Sequence, residues 1–355
     1  MRGVVRGGMR GVVRDRGAWQ HRSMTAKPRV CIVSPALAEA NNGNWHTASR
    51  WARMLGAVAT VQIVREWEGE PAEALIALHA RRSAGSVARF HDADPNAPLA
   101  LVMTGTDLYR DLGVDASARH SVECASHVVV LQEAGFASLP AAARAKARCI
   151  EQSATRVLRA DAATGHVGLV AVGHLRDEKD PLTLMAAARL LPPATNIRIH
   201  HLGAALDSAL GAEALRTMAA CPAYRWLGGQ GAHAARRWIA RSRALVHMSL
   251  MEGGANVVIE AVRSQVPVLA SRIDGNVGLL GADYGGYFPV GDAAALAALM
   301  QRFAADARFA GGLRAQCRVR EPRFDPAAET RAVRALLADM LRGHAGSAAP
   351  ARLTQ

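Results

Sequence analysis

The sequence has few cysteines, few aromatic residues and no long apolar runs. Its 355 residues include five cysteines, none in a C-x-x-C pair, which excludes a disulfide scaffold or zinc finger and suits a reducing cytoplasm. No apolar run approaches the ~18 residues that a membrane span needs. Aromatic residues make up only 5% of the chain, so an interleaved aromatic and basic platform for nucleic acid is missing. We therefore expect a cytoplasmic protein with no nucleic-acid partner and no membrane span.

Acidic residues and lysines are also scarce. The 43 basic residues exceed the 30 acidic residues, which gives a net charge of +13, and only three of the basic residues are lysines. Residues 1–23 carry six arginines and one aspartate, so they contribute +5 and the other 332 residues carry +8. Such a charge can indicate a nucleic-acid or membrane partner. We favour the alternative, an arginine-biased composition spread over solvated faces.

The two ends of the chain differ in composition from the middle. The hexapeptide MRGVVR occurs at 1–6 and again at 9–14, within a Gly-rich segment that has no signal-peptide core. We expect residues 1–28 to form a disordered basic leader, and residues 344–355 a disordered tail.

Between these ends, short apolar strands alternate with alanine-rich amphipathic helices, and the alternation restarts near residue 156. This rhythm predicts the α/β class, with two doubly wound Rossmann-like domains at 29–155 and 156–320 and a C-terminal helix at 321–343. Ligands bind such sheets outside the carboxyl ends of the strands or between the domains.

A strand, two glycines and a helix follow one another around Glu252 in the second half. Gly253 and Gly254 permit close backbone approach, and the helix start would offer free N–H groups to a diphosphate. Glu260 lies eight residues after Glu252, which on a helix is ~10 Å. The two carboxylates could therefore bracket a nucleotide sugar, one on the sugar and the other on the ribose. The alternative is a pair of solvated glutamates on an ordinary helix.

A second strand of this half ends at Gly173 and continues into a short charged loop. Arg176 and Lys179 on this loop could neutralise the charge that develops on a departing diphosphate, and Pro181 marks a helix start. The alternative is a surface charge cluster.

Two other motifs compete for a functional role. Gly229–Ala234 fits the G-x-G-x-x-A pattern of a dinucleotide site, but a NAD site would leave Glu260 and the Lys179 loop unexplained. Asp92 and Asp94 form a D-x-D in a turn-rich connector, which we interpret as a loop. We predict no metal requirement and no cofactor.

Three segments of the first half could contact a second substrate. Gly43, Asn44 and His46 lie in a polar loop that opens a helix, with a simple helix cap as the alternative. Thr106 and Asp107 follow another strand end. His79 ends a third strand beside two arginines, although a lone histidine is more often structural.

The second half resembles family-4 GT-B glycosyltransferases, which carry a G-R-L-x-x-x-K-G loop and an E-G-F-G-x-x-x-x-E helix. This resemblance implies the GT-B fold, catalytic roles for Lys179, Glu252 and Arg176, and Glu260 on the ribose. The donor-binding residues that it implies are Gly173, His174, Gly253, Gly254, Ala255, Asn256, Val257 and Glu260. His174 replaces the family's phosphate-binding arginine, and Thr104 stands where the family often has histidine.

Four longer segments resemble the bacterial selenosugar synthases of selenoneine biosynthesis, among them N-N-G-N-W-H-T-A-S-R-W-A and V-G-H-L-R-D-E-K-D-P. This resemblance implies a UDP-sugar donor, UDP-N-acetylglucosamine or a similar hexose, and selenophosphate as the acceptor. Gly43, Asn44, His46, His79, Thr106 and Asp107 would then contact the acceptor. An ordinary family-4 transferase acting on a carbohydrate, lipid or small-molecule hydroxyl is the alternative.

Overall fold

The computed structural model describes residues 27–37, 43–158 and 165–347. Most of the leader that we predict at 1–28, all of the tail beyond residue 347, and residues 159–164 at the junction of the two halves lie outside the described residues.

The first half forms a six-stranded sheet in the order β2-β1-β3-β4-β5-β6, with every pair parallel. Its central strands are buried on both faces because they consist of Val, Ile, Leu and Ala with almost no polar residue. The strands are Arg29–Val33 (β1), Thr60–Val64 (β2), Ala74–Leu78 (β3), Leu99–Val102 (β4), His127–Val130 (β5) and Ala147–Cys149 (β6).

The second half forms another parallel six-stranded sheet, in the order β12-β11-β10-β7-β8-β9. The prediction of two doubly wound α/β domains is therefore confirmed. The strands are Val167–Val172 (β7), Ile197–Leu202 (β8), Tyr224–Trp226 (β9), Ala244–His247 (β10), Val268–Ser271 (β11) and Tyr287–Phe288 (β12).

Helices cover both faces of each sheet. In the first half they are Gly43–Leu55 (α1), Ala84–Ala93 (α2), Leu112–Val114 (α3), Ala116–Cys124 (α4) and Ala141–Arg144 (α5), with a π-helical segment at Asp107–Asp111 and a 3-10 segment at Glu133–Ser138. In the second half they are Pro181–Arg189 (α6), Ser208–Ala220 (α7), Ala232–Arg241 (α8), Asn256–Arg263 (α9), Asp274–Leu280 (α10), Ala293–Ala305 (α11) and Ala307–Arg320 (α12). Short 3-10 segments lie at Asp177–Lys179 and Glu321–Phe324, and the last helix is Pro326–Ser347 (α13).

The last helix packs on the first domain although it follows the second in the chain. Val333, Leu336 and Met340 of α13 are buried in the same core cluster as Trp51 and Ile76. The second sheet has its own core, built from its strands and from α6 to α12. Helix α13 runs to Ser347, four residues beyond the boundary that we predict at 343.

Two local predictions need correction. Asp92 and Ala93 are the last two residues of α2 and not part of a connecting loop, because the helix continues until Asp94 takes an extended backbone conformation. Glu252 lies in the loop before α9, which begins only at Asn256. The helical rise therefore measures only part of the path from Glu252 to Glu260, and the separation of ~10 Å does not follow from it.

Candidate active site

A cavity of about 440 Å³ lies between the two domains, at the carboxyl ends of both sheets. The strand-end loops of both halves meet here because each sheet is parallel and its carboxyl ends share one edge. Nearly all of the site residues that we predict from the sequence line this cavity: Gly43, Asn44, His46, His79, Thr106, Gly173, His174, Arg176, Lys179, Glu252, Gly253, Gly254, Ala255, Asn256, Val257 and Glu260.

Lys179 and Glu252 meet inside the cavity as a direct ion pair. Lys179 ends the short 3-10 segment after β7, and α6 begins at Pro181, as the sequence predicts. Burial would raise the pKa of Glu252, but Lys179 and His247 outweigh it and hold the pKa well below its usual value. The carboxylate is therefore ionised and paired with the amine.

Two residues that we did not predict from the sequence contact the Glu252 carboxylate. Ser249 Oγ donates to Glu252 Oε1 at 2.8 Å, and His247 Nε2 lies 3.4 Å from the same oxygen. Both residues are buried at the end of β10. Their positions three and five residues before the acid were the available signal, since strand-end polar residues converge on the same edge of the sheet.

Glu260 points from α9 toward the same cavity, and Arg236 of α8 holds one of its oxygens at 2.8 Å. Burial raises the pKa of Glu260, against the opposing effects of Arg236 and Arg50. The group is thus a poorly solvated carboxylate beside a cation, which can accept hydrogen bonds from hydroxyl groups.

The glycine loop brings the two domains into backbone contact. A Cβ atom on Gly253 would lie 2.5 Å from the backbone carbon of Thr104, and one on Gly105 would lie 2.9 Å from the nitrogen of Gly253. A Cβ on Gly254 would lie 2.7 Å from the Gln152 side chain. Side chains at these positions would force the domains apart, so the glycines set the width of the cleft.

The charged loop after β7 also bridges the domains. His174 Nδ1 accepts from the backbone N–H of Ala204 at 3.1 Å, which fixes the imidazole at the cavity wall. Arg176 lies 3.8 Å from Glu178, and Arg110 of the first domain reaches Glu178 at 3.5 Å. The Arg176 guanidinium therefore stays at the cavity edge, where it adds positive charge.

On the first domain, His79 stands in a left-handed conformation, with φ of 74°, at the end of β3. Its Nδ1 accepts from the backbone N–H of Arg82 at 3.4 Å, and its Nε2 lies 3.0 Å from Thr106 Oγ1. This pattern assigns the ring proton to Nε2, which donates to Thr106. Burial lowers the pKa of His79, so the ring is neutral near pH 7. A strained residue held in this way is typical of a functional site.

Asp107 does not line the cavity, unlike the other predicted site residues. Its carboxylate is fully buried and accepts from the backbone N–H groups of Ala80 and Thr104 and from the Thr104 hydroxyl, at 2.7–2.8 Å. The side chain thereby orders the loops after β3 and β4. A role in contacting the acceptor directly remains a prediction from the sequence, and these contacts do not favour it.

The topology does not favour a dinucleotide site at Gly229–Ala234. Gly229 follows β9 and precedes α8, as that pattern requires, but β9 is the edge strand of its sheet. The next strand, β10, is separated from β9 by β7 and β8. Glu252 after β10 therefore does not occupy the neighbouring-strand position of the ribose-binding acid in that motif.

Within the described residues, no group of three or more His, Cys, Asp or Glu side chains could hold a metal ion. The same part of the chain contains no helix with the length and apolar character to cross a bilayer. Asp92 and Asp94 are not among the residues that line the cavity.

Comparison with known proteins gives a family match for part of the chain. Residues 166–306, which form most of the second domain, match the family model for glycosyl transferases group 1. No curated protein matches the chain in sequence.

Several solved structures share the whole architecture. HepE of Anabaena, solved with UDP and glucose, is 14% identical, with a TM-score of 0.69 over 88% of this chain and 100% of that one. Sucrose-phosphate synthase from Thermosynechococcus elongatus is 15% identical, with a TM-score of 0.73 over 89% and 100%. A UDP-forming trehalose-phosphate synthase from Burkholderia xenovorans is 12% identical, with a TM-score of 0.62 over 78% and 75%. The fold is therefore GT-B.

Proposed function

We propose that the chain is a UDP-sugar-dependent glycosyltransferase that transfers N-acetylglucosamine, or a similar hexose, to selenophosphate. The observation that carries the donor half is the Lys179–Glu252 pair beside the α9 N-terminus and Glu260, all in one inter-domain cavity. The group 1 glycosyltransferase match of residues 166–306 supports the same assignment.

The donor would lie along the second domain. The N–H groups at the start of α9 and the amine of Lys179 would hold the diphosphate, because both present positive charge toward the cavity. Glu260 would accept from the ribose hydroxyls, and Glu252 from the sugar. As the glycosidic bond breaks, negative charge grows on the diphosphate, and Lys179 and Arg176 would stabilise it.

The first domain favours an acceptor that already carries negative charge. His79, the buried histidine of this half of the cavity, has both ring nitrogens occupied by Arg82 and Thr106, so it offers no site for an acceptor proton. Arg82 and His46 line the same side and supply a cation and a ring N–H group. Selenophosphate fits this setting because its selenium is anionic and needs no general base.

The reaction would proceed by attack of a selenium lone pair on the anomeric carbon. A carbon–selenium bond forms there while the carbon–oxygen bond to UDP breaks, and UDP leaves with the electron pair. Water then cleaves the phosphorus–selenium bond to give phosphate and the selenosugar, for selenoneine biosynthesis.

The test is a two-substrate assay. The protein is incubated with UDP-N-acetylglucosamine and with selenophosphate or thiophosphate in parallel, and UDP and sugar products are measured by mass spectrometry. We expect UDP release and a selenium-bearing sugar, and both about 100-fold more slowly from a Lys179→Met control. A folded wild-type protein that binds UDP but makes no selenium-bearing sugar would overturn the acceptor assignment.

An ordinary transferase that uses a hydroxyl acceptor is the second candidate. The observation that favours it is the pair of carboxylates, Asp107 and Asp111, each 4.0 Å from the His79 ring. Carboxylates raise the basicity of a histidine, which would act as a base once its ring released the contact with Arg82 or Thr106. It predicts UDP release with a carbohydrate or small-molecule alcohol, no stimulation by selenophosphate, and loss of this activity in His79→Gln.

A further inference from the structure

A buried carboxylate lies behind the cavity, on the helix that returns to the first domain. The Glu329 side chain is 0% exposed. Its oxygens accept from Arg50 Nε at 2.9 and 3.1 Å, from Trp51 Nε1 at 2.8 Å, and from the backbone N–H and hydroxyl of Ser153 at 2.8 and 2.5 Å. Such a fully paired charge joins three segments: α1, the residues that lead from the first domain to the second, and α13.

The partner arginine faces the other way, toward the second domain. Glu329 holds Arg50 through Nε, which leaves the two terminal nitrogens of the guanidinium directed toward the connecting segment and the start of α9. Nη1 lies 3.4 Å from Oδ1 of Asn256, the first residue of α9. Nη2 lies 3.1 Å from the Gln152 amide oxygen, in the amide orientation that satisfies both of its ends.

Arg50 is linked to four cavity-lining residues. It contacts Asn256 and Gln152 directly, and it is linked to Thr47 and Gly254 through Gln152. In the same orientation, the Gln152 amide nitrogen donates to the Gly254 carbonyl at 3.2 Å, and Thr47 Oγ1 lies 2.5 Å from the amide oxygen. Thr47 and Gln152 come from the first domain and the connecting segment, whereas Gly254 lies in the loop before α9 and Asn256 begins that helix. Arg50 itself is 14% exposed and does not line the cavity.

We infer that Glu329 is a positioning residue that acts through Arg50 on the start of α9. Because Glu329 fixes the guanidinium, Arg50 holds Asn256 and Gln152 in place, and these set the distance between α1 and the N–H groups that would face a diphosphate. The inference rests on the proposed function, since it assigns the start of α9 to the donor. A purely structural Glu329 would instead stabilise α13 without affecting ligand binding.

The test compares Glu329→Gln, Arg50→Met and the double variant, as full-length chains, by calorimetric titration with UDP. We expect each single variant to bind UDP about 10-fold more weakly, as for the loss of one charge-assisted contact. The double variant should bind no more weakly than Arg50→Met, because both changes interrupt one path. Arg50→Lys keeps the charge beside Glu329 but removes the terminal fork, so it should fold and show the same loss.

A matched control comes from a second arginine–carboxylate pair near the same connecting segment. Arg263 donates to the carbonyl of Ala154 at 3.0 Å and to Glu321 at 2.5 Å, and neither Arg263 nor Glu321 lines the cavity. Glu321→Gln should lower the midpoint of thermal unfolding while UDP affinity stays at the wild-type value.

The outcomes separate the two hypotheses. Wild-type UDP affinity in Glu329→Gln and Arg50→Lys, or an additional loss in the double variant, would overturn the positioning role while the proposed function stands. A wild-type protein that does not bind UDP would overturn both.

Discussion

At the residue scale, the two carboxylates of the cavity differ in how their charge is controlled. Glu252 is paired with Lys179, and its pKa lies below the usual value, whereas burial raises the pKa of Glu260. A lowered pKa keeps Glu252 ionised down to acidic pH. Glu260 instead takes up a proton as the pH falls through a value above the ordinary 4.5.

The affinity for the donor should therefore decrease at acidic pH because Glu260 becomes protonated. Hydroxyl groups of a ribose bind an ionised carboxylate more strongly than a protonated one, so affinity for UDP-N-acetylglucosamine should fall as Glu260 is protonated, at a pH above 4.5. Protonation of His46 would add positive charge and act in the opposite direction. We expect titration calorimetry from pH 4.5 to 8 to show this decrease in the wild type and not in Glu260→Gln. The same decrease in both proteins would exclude Glu260 as its source.

Lys179→Met should separate catalysis from stability. The loss of one cation at the leaving group should reduce kcat about 100-fold. It also leaves Glu252 buried without its partner, which should cost about 3 kcal/mol of unfolding free energy in urea titrations.

The double variant Lys179→Met/Glu252→Gln is the matched comparison. It removes the unpaired charge, so it should recover most of the stability and none of the activity. Equal stability of the two variants would show that the ion pair is not buried in solution.

At the scale of elements, the close contact of two loops limits what the cavity can accommodate. Gly253→Ala would place a Cβ 2.5 Å from the Thr104 backbone, so the β4 and β10 loops must separate. We expect kcat/KM to fall at least 10-fold, because the catalytic groups of the two domains would no longer be held at the proper distance.

A control glycine stands in the middle of α12. A Cβ on Gly312 would meet no atom within 4 Å, and Gly312→Ala should raise stability by about 0.5–1 kcal/mol at unchanged activity. Unchanged activity in Gly253→Ala as well would show that the two loops can separate without affecting catalysis.

The elements themselves were largely predictable from the sequence. The apolar runs at β3, β4 and β10 and the start of α6 at Pro181 have local signals that the structure confirms. The loops with Lys179 and Glu252 were also predictable as neighbours, since parallel strands bring their carboxyl ends to one edge. Their neighbour Arg236, which holds Glu260, could not be found in this way. It is 24 residues away on another helix, and no spacing rule links the two.

The role of Glu329 is even harder to predict from the sequence than that of Arg236. It lies 279 residues from Arg50, and its burial depends on α13 crossing back to the first domain. In the sequence it is one acid in an amphipathic helix, typical of a solvated face. Only the packed arrangement distinguishes it from the other acids of the chain.

At the scale of the whole molecule, the two domains have separate cores, and α13 belongs to the first. Leu336→Ala should lower the free energy of unfolding of the first domain by about 2–5 kcal/mol and leave the second unaffected. Leu296→Ala, in the second core, should do the reverse. Hydrogen exchange followed by mass spectrometry can assign each loss to β1–β6 or to β7–β12. A shared loss in both variants would show a single cooperative unit.

The return of α13 has a consequence for the order in which the protein is made. Val333, Leu336 and Met340 complete the first domain's core, yet the ribosome synthesises them after every strand that the structure describes. The first domain therefore leaves the exit tunnel with part of its apolar surface uncovered, while the second can close its own core beforehand. Folding during translation should thus finish in the reverse of the usual N-to-C order, and a chaperone would find its binding site on the half that is made first.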